Sequence, residues 1–126
     1  MPERTIIYFE DDSYYQGLVI DFLGPEFPDY KLDVRKGERQ SAGEIFRSVG
    51  GVEKIAAVCT DGALVGTFKG WELIQDLRKS GYNGPTFYVG SEPLPKKYRH
   101  LFTSIVEKNM AWRNLIIPAL KKYLKN

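Results

Sequence analysis

The sequence has little sulfur chemistry and little histidine. Cys59 is the only cysteine of the 126 residues, so no internal disulfide can form, and a reducing compartment is compatible with the chain without being demanded. His100 is the sole histidine and falls in a proline-rich loop, which leaves no Ser-His or Cys-His pair to build a nucleophilic triad. No apolar run approaches the ~20 residues that span a bilayer. The opening Met1-Pro2-Glu3-Arg4 has no signal-peptide architecture, so no membrane and a cytoplasmic location are the default expectations. Net charge is only +2. The local excess at Lys96-Lys97-Tyr98-Arg99-His100 and at Lys121-Lys122 reads as a solvated loop and a helix C-terminus, not as a nucleic-acid surface.

What is present is an ordinary soluble composition, 43% hydrophobic, in a length that suits one domain over residues 1–126 with one core. Thr5-Ile6-Ile7-Tyr8-Phe9, Ile55-Ala56-Ala57-Val58-Cys59 and Thr86-Phe87-Tyr88-Val89 are short, continuously apolar runs, as expected of strands covered on both faces. Tyr30, Leu32 and Val34 alternate with Lys31 and Asp33, the period of a half-exposed edge strand. Ser104-Ile105-Val106 is a fifth, short strand.

Helical spacing separates these runs. Ser13 to Gln16 has the spacing of a capping box, and Tyr15, Leu18, Val19, Phe22 and Leu23 follow on one face before Gly24-Pro25. Ser41 to Glu44 is a second such box, with Gly50-Gly51 closing its helix. A third helix is expected over about 68–79. Pro93 and Pro95 shorten the fourth to a turn from Lys96 to Phe102. The last runs from about Met110, with Trp112, Leu115, Ile116, Ala119, Leu120 and Tyr123 on one face and Pro118 as a kink.

Strands alternating with helices imply a parallel α/β sheet with right-handed crossovers. Putting the apolar strands in the middle and the alternating one at an edge gives a doubly wound five-stranded sheet in the order 2-1-3-4-5, with helices on both faces. Ligands of such sheets bind beyond the carboxyl ends of the strands. At those ends the sequence places Glu10-Asp11-Asp12, Asp61, Ser91 and Lys108. Neighbouring strands are ~4.8 Å apart, so Glu10, Asp11 and Asp61 crowd and repel. A hard divalent cation relieves that, and Mg²⁺ prefers oxygen ligands and keeps waters that a phosphate can displace. With the Lys108 ammonium and the Ser91 hydroxyl, the set suits the oxygens of a phosphoryl group in transfer, and Asp61 is placed as its nucleophilic acceptor. Asp12 reads as a helix cap, and Cys59 as core.

This ordered set resembles the receiver domain of two-component response regulators. The resemblance rests on the acidic pair Glu10-Asp11, the acceptor Asp61, the hydroxyl Ser91, the lysine Lys108 and Gly70-Trp71-Glu72-Leu73 opening the third helix, and it covers nearly the whole chain. It implies a flavodoxin-like fold. It also implies Mg²⁺ held by Asp11 and Asp61 directly, by Glu10 through water and by the backbone carbonyl of Ala63. The partner it implies is a sensor histidine kinase or phosphotransfer protein that gives its phosphoryl group to Asp61, with Ser91 and Lys108 holding the phosphoryl oxygens. Such a protein is a signalling phospho-acceptor, with self-phosphorylation and self-dephosphorylation as its only reactions. No stretch remains for an output domain, so a stand-alone receiver, or one excised from a longer chain, is expected.

The chain departs from that pattern where Gly62-Ala63-Leu64 replaces the usual Met-Pro, where Glu92 follows Ser91, where Asn109 replaces a proline, and where Ile105 takes the aromatic switch position. The rival reading is a degenerate receiver that works by protein contact alone. An aspartyl-nucleophile phosphatase would want a second acid at Ala63, and a dinucleotide site would want glycines where Glu10-Asp11-Asp12 stand.

Overall fold

The apolar runs do become the inner strands. The computed structural model describes residues 4–109 and 111–124. In it β1 (Thr5–Phe9), β3 (Ile55–Thr60) and β4 (Thr86–Gly90) are buried at every position. β2 (Lys31–Arg35) and β5 (Ser104–Glu107) are the half-exposed edges of one all-parallel sheet, ordered β2-β1-β3-β4-β5. Continuous burial thus marks the central strands, and mixed burial the edges.

Among the described residues four α-helices cover the two faces. α1 (Ser13–Leu23) and α4 (Trp112–Tyr123) pack Val19, Leu23, Trp112, Ile116 and Leu120 against Ile6, Tyr8, Cys59, Phe87 and Val89. α2 (Ala42–Ser48) and α3 (Gly70–Lys79) pack Ala42, Ile45, Leu73, Ile74 and Leu77 against Ile7, Phe9 and Val58. Alternate residues of β1 therefore feed opposite cores, as strand geometry requires. The segment before β5 forms only a 3-10 turn, Lys96–Leu101. It closes a smaller cluster of Trp71, Tyr88 and Leu94, with Tyr98 and Phe102 alongside.

Local details are refined. Of the two capping candidates Asp12 holds the position, as expected of it from sequence, and Ser13 does not: the Asp12 carboxylate accepts the Tyr14 N–H at 2.8 Å, while the Gln16 amide donates to the Glu10 carbonyl at 2.7 Å. An aspartate accepts more strongly than a serine hydroxyl, and it is favoured at the positive end of a helix. The buried stripe of α4 narrows to Trp112, Ile116, Leu120 and the following Leu124, with Ala119 partly buried against it, Leu115 exposed, and Tyr123 exposed but in a T-shaped contact with Phe87. Met110 lies outside the described residues. α4 continues from Trp112 through the exposed Pro118 to Tyr123 without interruption.

The C-terminal end of α3 is tied to the sheet by one side chain. The Arg78 guanidinium donates to the carbonyls of Tyr82, Gly84 and Leu101 and to Thr86 Oγ1, at 2.7–3.2 Å. Only a planar fork reaches four acceptors from one position. Arg78→Lys should strand several of these carbonyls and cost about 2 kcal/mol. The expected readout is a lower urea midpoint at unchanged slope.

Candidate functional site

The backbone ladder sets the level of each functional side chain. Phe9 is in register with Thr60, and one residue further the Asp61 N–H donates to the Phe9 carbonyl at 2.9 Å. On the other side of β1 the Glu10 N–H donates to the Arg35 carbonyl at 2.8 Å. Gly90 is in register with Glu107, and the Lys108 N–H donates to the Gly90 carbonyl at 3.0 Å. Glu10, Asp61 and Lys108 therefore each extend a strand by one residue and emerge at the same rim of the sheet.

Their side chains meet there. Lys108 Nζ donates to Glu10 Oε1 at 2.5 Å and to Asp61 Oδ2 at 3.1 Å. β5 lies three places from β1 in the sheet, so the Lys108–Glu10 contact needs two long, unbranched side chains. Glu10 is 1% exposed, and its second oxygen accepts the Asp12 N–H at 3.1 Å. Asp61 Oδ1 accepts the Gly62 N–H at 2.7 Å. Asp11 is exposed, and it completes a triad with Glu10 and Asp61 whose carboxylate oxygens lie within 4.8 Å of one another.

Burial pushes the Glu10 carboxyl up to about 7; the Lys108 hydrogen bond opposes that rise and the charge of Asp61 adds to it. Burial works against the Lys108 ammonium as well, but its bonds and attraction to Glu10 and Asp61 outweigh it and hold Lys108 above the ordinary lysine range. One cation thus faces three carboxyl groups. A hard cation bound by the carboxylate oxygens would offset the remaining negative charge, and the all-oxygen donor set of Glu10, Asp11 and Asp61 fits Mg²⁺. Ala63 pairs with Lys69 in an isolated antiparallel bridge whose bonds use the carbonyls of Gly62 and Phe68, so the bridge leaves the Ala63 carbonyl unused.

Ser91 follows β4 one residue past Gly90 and is exposed, at the register level of Lys108. Its hydroxyl makes no described contact with the acidic group. His100 is exposed in the 3-10 turn, and no hydrogen bond or ion pair described in the structure joins it to the acidic group. Cys59 is buried, and burial raises its thiol pKa, as suits a packing residue.

Several supporting residues had no distinct sequence signal. Tyr15 carries its ring 3.9 Å from Lys108 Nζ and meets Trp112 edge-on, although its spacing marks it only as helix core. Thr60 Oγ1 donates to the Asp61 carbonyl at 2.8 Å. Glycine offered a clue at two positions. A Cβ on Gly70 would lie 2.0 Å from the Asp61 carbonyl oxygen, and one on Gly62 would lie 2.2 Å from the Tyr88 hydroxyl. Both residues let backbone or ring pass close beside Asp61.

No family model matches the chain, and no curated protein matches it. Solved structures do. The BeF3-activated N-terminal receiver domain of RstA from Klebsiella pneumoniae is 21% identical, with a TM-score of 0.73 over 98% of this chain and 100% of that one. The signal receiver domain of a DNA binding response regulator from Colwellia psychrerythraea is 18% identical, with a TM-score of 0.71 over 95% and 97% of the two chains. A CheY-like response regulator receiver domain protein from Methanospirillum hungatei is 17% identical, with a TM-score of 0.66 over 96% and 94%. At these identities the likeness establishes the fold: the chain has the flavodoxin-like receiver fold, and the strand order expected from sequence is the one observed.

Proposed function

We propose that this chain is a phospho-accepting receiver in which Asp61 takes a phosphoryl group with Mg²⁺ as cofactor. The observation that carries the proposal is the meeting of Lys108 with both Glu10 and Asp61 at one rim, beside Asp11. Asp61 supplies the nucleophile. A carboxylate oxygen attacks the phosphorus of a phosphohistidine on a sensor kinase or phosphotransfer protein, the P–N bond breaks as the O–P bond forms, and the histidine side chain departs. An acyl phosphate remains on Asp61, and water later returns it to carboxylate and phosphate.

Asp11 and Asp61 would hold the metal directly, with Glu10 acting through water and the Ala63 carbonyl as a further ligand. When bound, Mg²⁺ supplies positive charge against the phosphoryl oxygens. Lys108 gives a second positive charge at the acceptor oxygen, and the Tyr15 ring limits where its ammonium can go. Gly62 holds one Asp61 oxygen by its N–H, which fixes the plane of the carboxylate. Ser91, exposed at the register level of Lys108, would offer its hydroxyl to a phosphoryl oxygen. A soluble, cytoplasmic signalling role belongs to the same proposal. Among the described residues no helix is long and apolar enough to cross a membrane.

The two tryptophans give the test. Trp112 touches Tyr15, and Trp71 lies against Tyr88, whose hydroxyl donates to the Glu92 carbonyl at the rim. Mg²⁺ with beryllofluoride, which mimics an acyl phosphate, should therefore change the fluorescence of one or both. A silent protein that also binds no Mg²⁺ would instead be an interaction module.

A further inference from the structure

A second charge pair stands beside Asp61, and nothing in the acceptor chemistry above uses it. Lys69 Nζ donates to both oxygens of Glu92, at 2.9 and 3.0 Å. Glu92 follows Ser91, and Lys69 immediately precedes α3. Both are anchored next to the acceptor. A Cβ on Gly62, the residue after Asp61, would lie 3.4 Å from the Glu92 Cβ. Gly70, the residue after Lys69, faces the Asp61 carbonyl closely enough that a Cβ would overlap it.

The backbones of the pair are held independently of its charges. The Tyr88 hydroxyl donates to the Glu92 carbonyl, and the Lys69 N–H donates to Glu72 Oε1 at 3.0 Å. The two side chains are 33% and 39% exposed, so their mutual attraction contributes little to folding. What the arrangement fixes is position: one anion and one cation next to a rim that already carries three carboxyl groups and one ammonium.

Resting on the phospho-acceptor reading, we infer that the Lys69–Glu92 pair is a charge gate that sets how fast an anionic phosphoryl donor reaches Asp61. Glu92 retards entry in two ways. It repels the donor, and it occupies the Lys69 ammonium. Lys69 favours entry, because an approaching dianion competes with Glu92 for that ammonium and is drawn to the rim when it wins. The two partners of one ion pair therefore act in opposite directions on the same rate. A pair that served only to brace the two loops would give losses of the same sign from either side.

The experiment measures the rate of covalent labelling by acetyl phosphate with Mg²⁺ at low ionic strength. Glu92→Gln is expected to speed labelling about 3- to 10-fold and Lys69→Gln to slow it by a similar factor, as suits one unit charge within several ångströms of the donor. Glu92→Lys should exceed Glu92→Gln, and the double Gln variant should fall between the two singles. All rates should converge toward 1 M salt, where screening is nearly complete. Urea midpoints confirm that each variant is folded. Rates that shift in the same direction for both partners, or that keep their ratios in high salt, would overturn the gate while leaving the acceptor reading intact. A native chain that acetyl phosphate cannot label on Asp61 would overturn both.

Discussion

Asp61→Asn is expected to abolish covalent phosphorylation and leave the fold standing. The two halves of this expectation come from different parts of the structure. The amide oxygen of asparagine carries no full charge and is a poor nucleophile toward phosphorus, so no acyl phosphate forms at residue 61. The fold survives because the side chain's structural contacts tolerate the change. An amide oxygen can still accept the Gly62 N–H, and Lys108 keeps its bond to Glu10. Removing the Asp61 charge also removes one of the influences that raise the Glu10 pKa, so the carboxyl crowding eases. Stability should stay within about 1 kcal/mol of the native chain. Intact-mass measurement after treatment with a small phosphodonor and Mg²⁺ should find one added phosphoryl group on the native chain and none on the variant. Peptide mapping should place it on Asp61. A variant labelled at full rate would end the assignment, whatever the likeness of fold.

The sequence carried the sheet order because burial leaves a one-dimensional trace. A strand covered on both faces is apolar without a break, and β1, β3 and β4 each are; an edge strand alternates, as residues 30–34 do. The rim followed, since in a parallel sheet every strand end points the same way and Glu10, Asp61 and Lys108 each follow one directly. What could not be read are contacts whose partners are set by loop paths. Lys69 and Glu92 are 23 positions apart, one just before α3 and the other just after β4, and no periodicity links them. In the sequence Glu92 is only a departure from the family pattern after Ser91, and the fold pairs it with a cation. The Tyr15 ring over Lys108 was hidden for another reason. An aromatic on the inner face of α1 satisfies the helical pattern completely, so its second contact leaves no mark in the spacing. Capping was ambiguous in a smaller way, because Asp12 and Ser13 are both good caps and the stronger acceptor took the position.

Lys108→Met should make the stability of the metal-free protein fall steeply with pH. The substitution keeps much of the side-chain volume and removes the ammonium, so two carboxyl groups that are almost wholly buried lose their common counter-ion. With both ionised, breaking such a pair from one side costs about 3 kcal/mol or more. The protein can avoid part of that cost by keeping a proton on Glu10. In the native chain burial already lifts this carboxyl to about 7 against the opposing pull of Lys108, and losing that pull raises it further. The sign follows from linkage. Between the unfolded carboxyl value near 4.5 and the raised folded one, the folded state binds the extra proton, so stability declines as pH rises through that window. Lys108→Met should therefore lie near the native chain at pH 5 and well below it at pH 8, by urea midpoints taken in the presence of chelator. Added Mg²⁺ should restore part of the loss at pH 8, because it puts positive charge back among Glu10, Asp11 and Asp61. A pH-independent loss, or one that Mg²⁺ leaves unchanged, would mean that Lys108 only packs the rim, and the electrostatic basis for assigning phosphoryl chemistry to these residues would go with it.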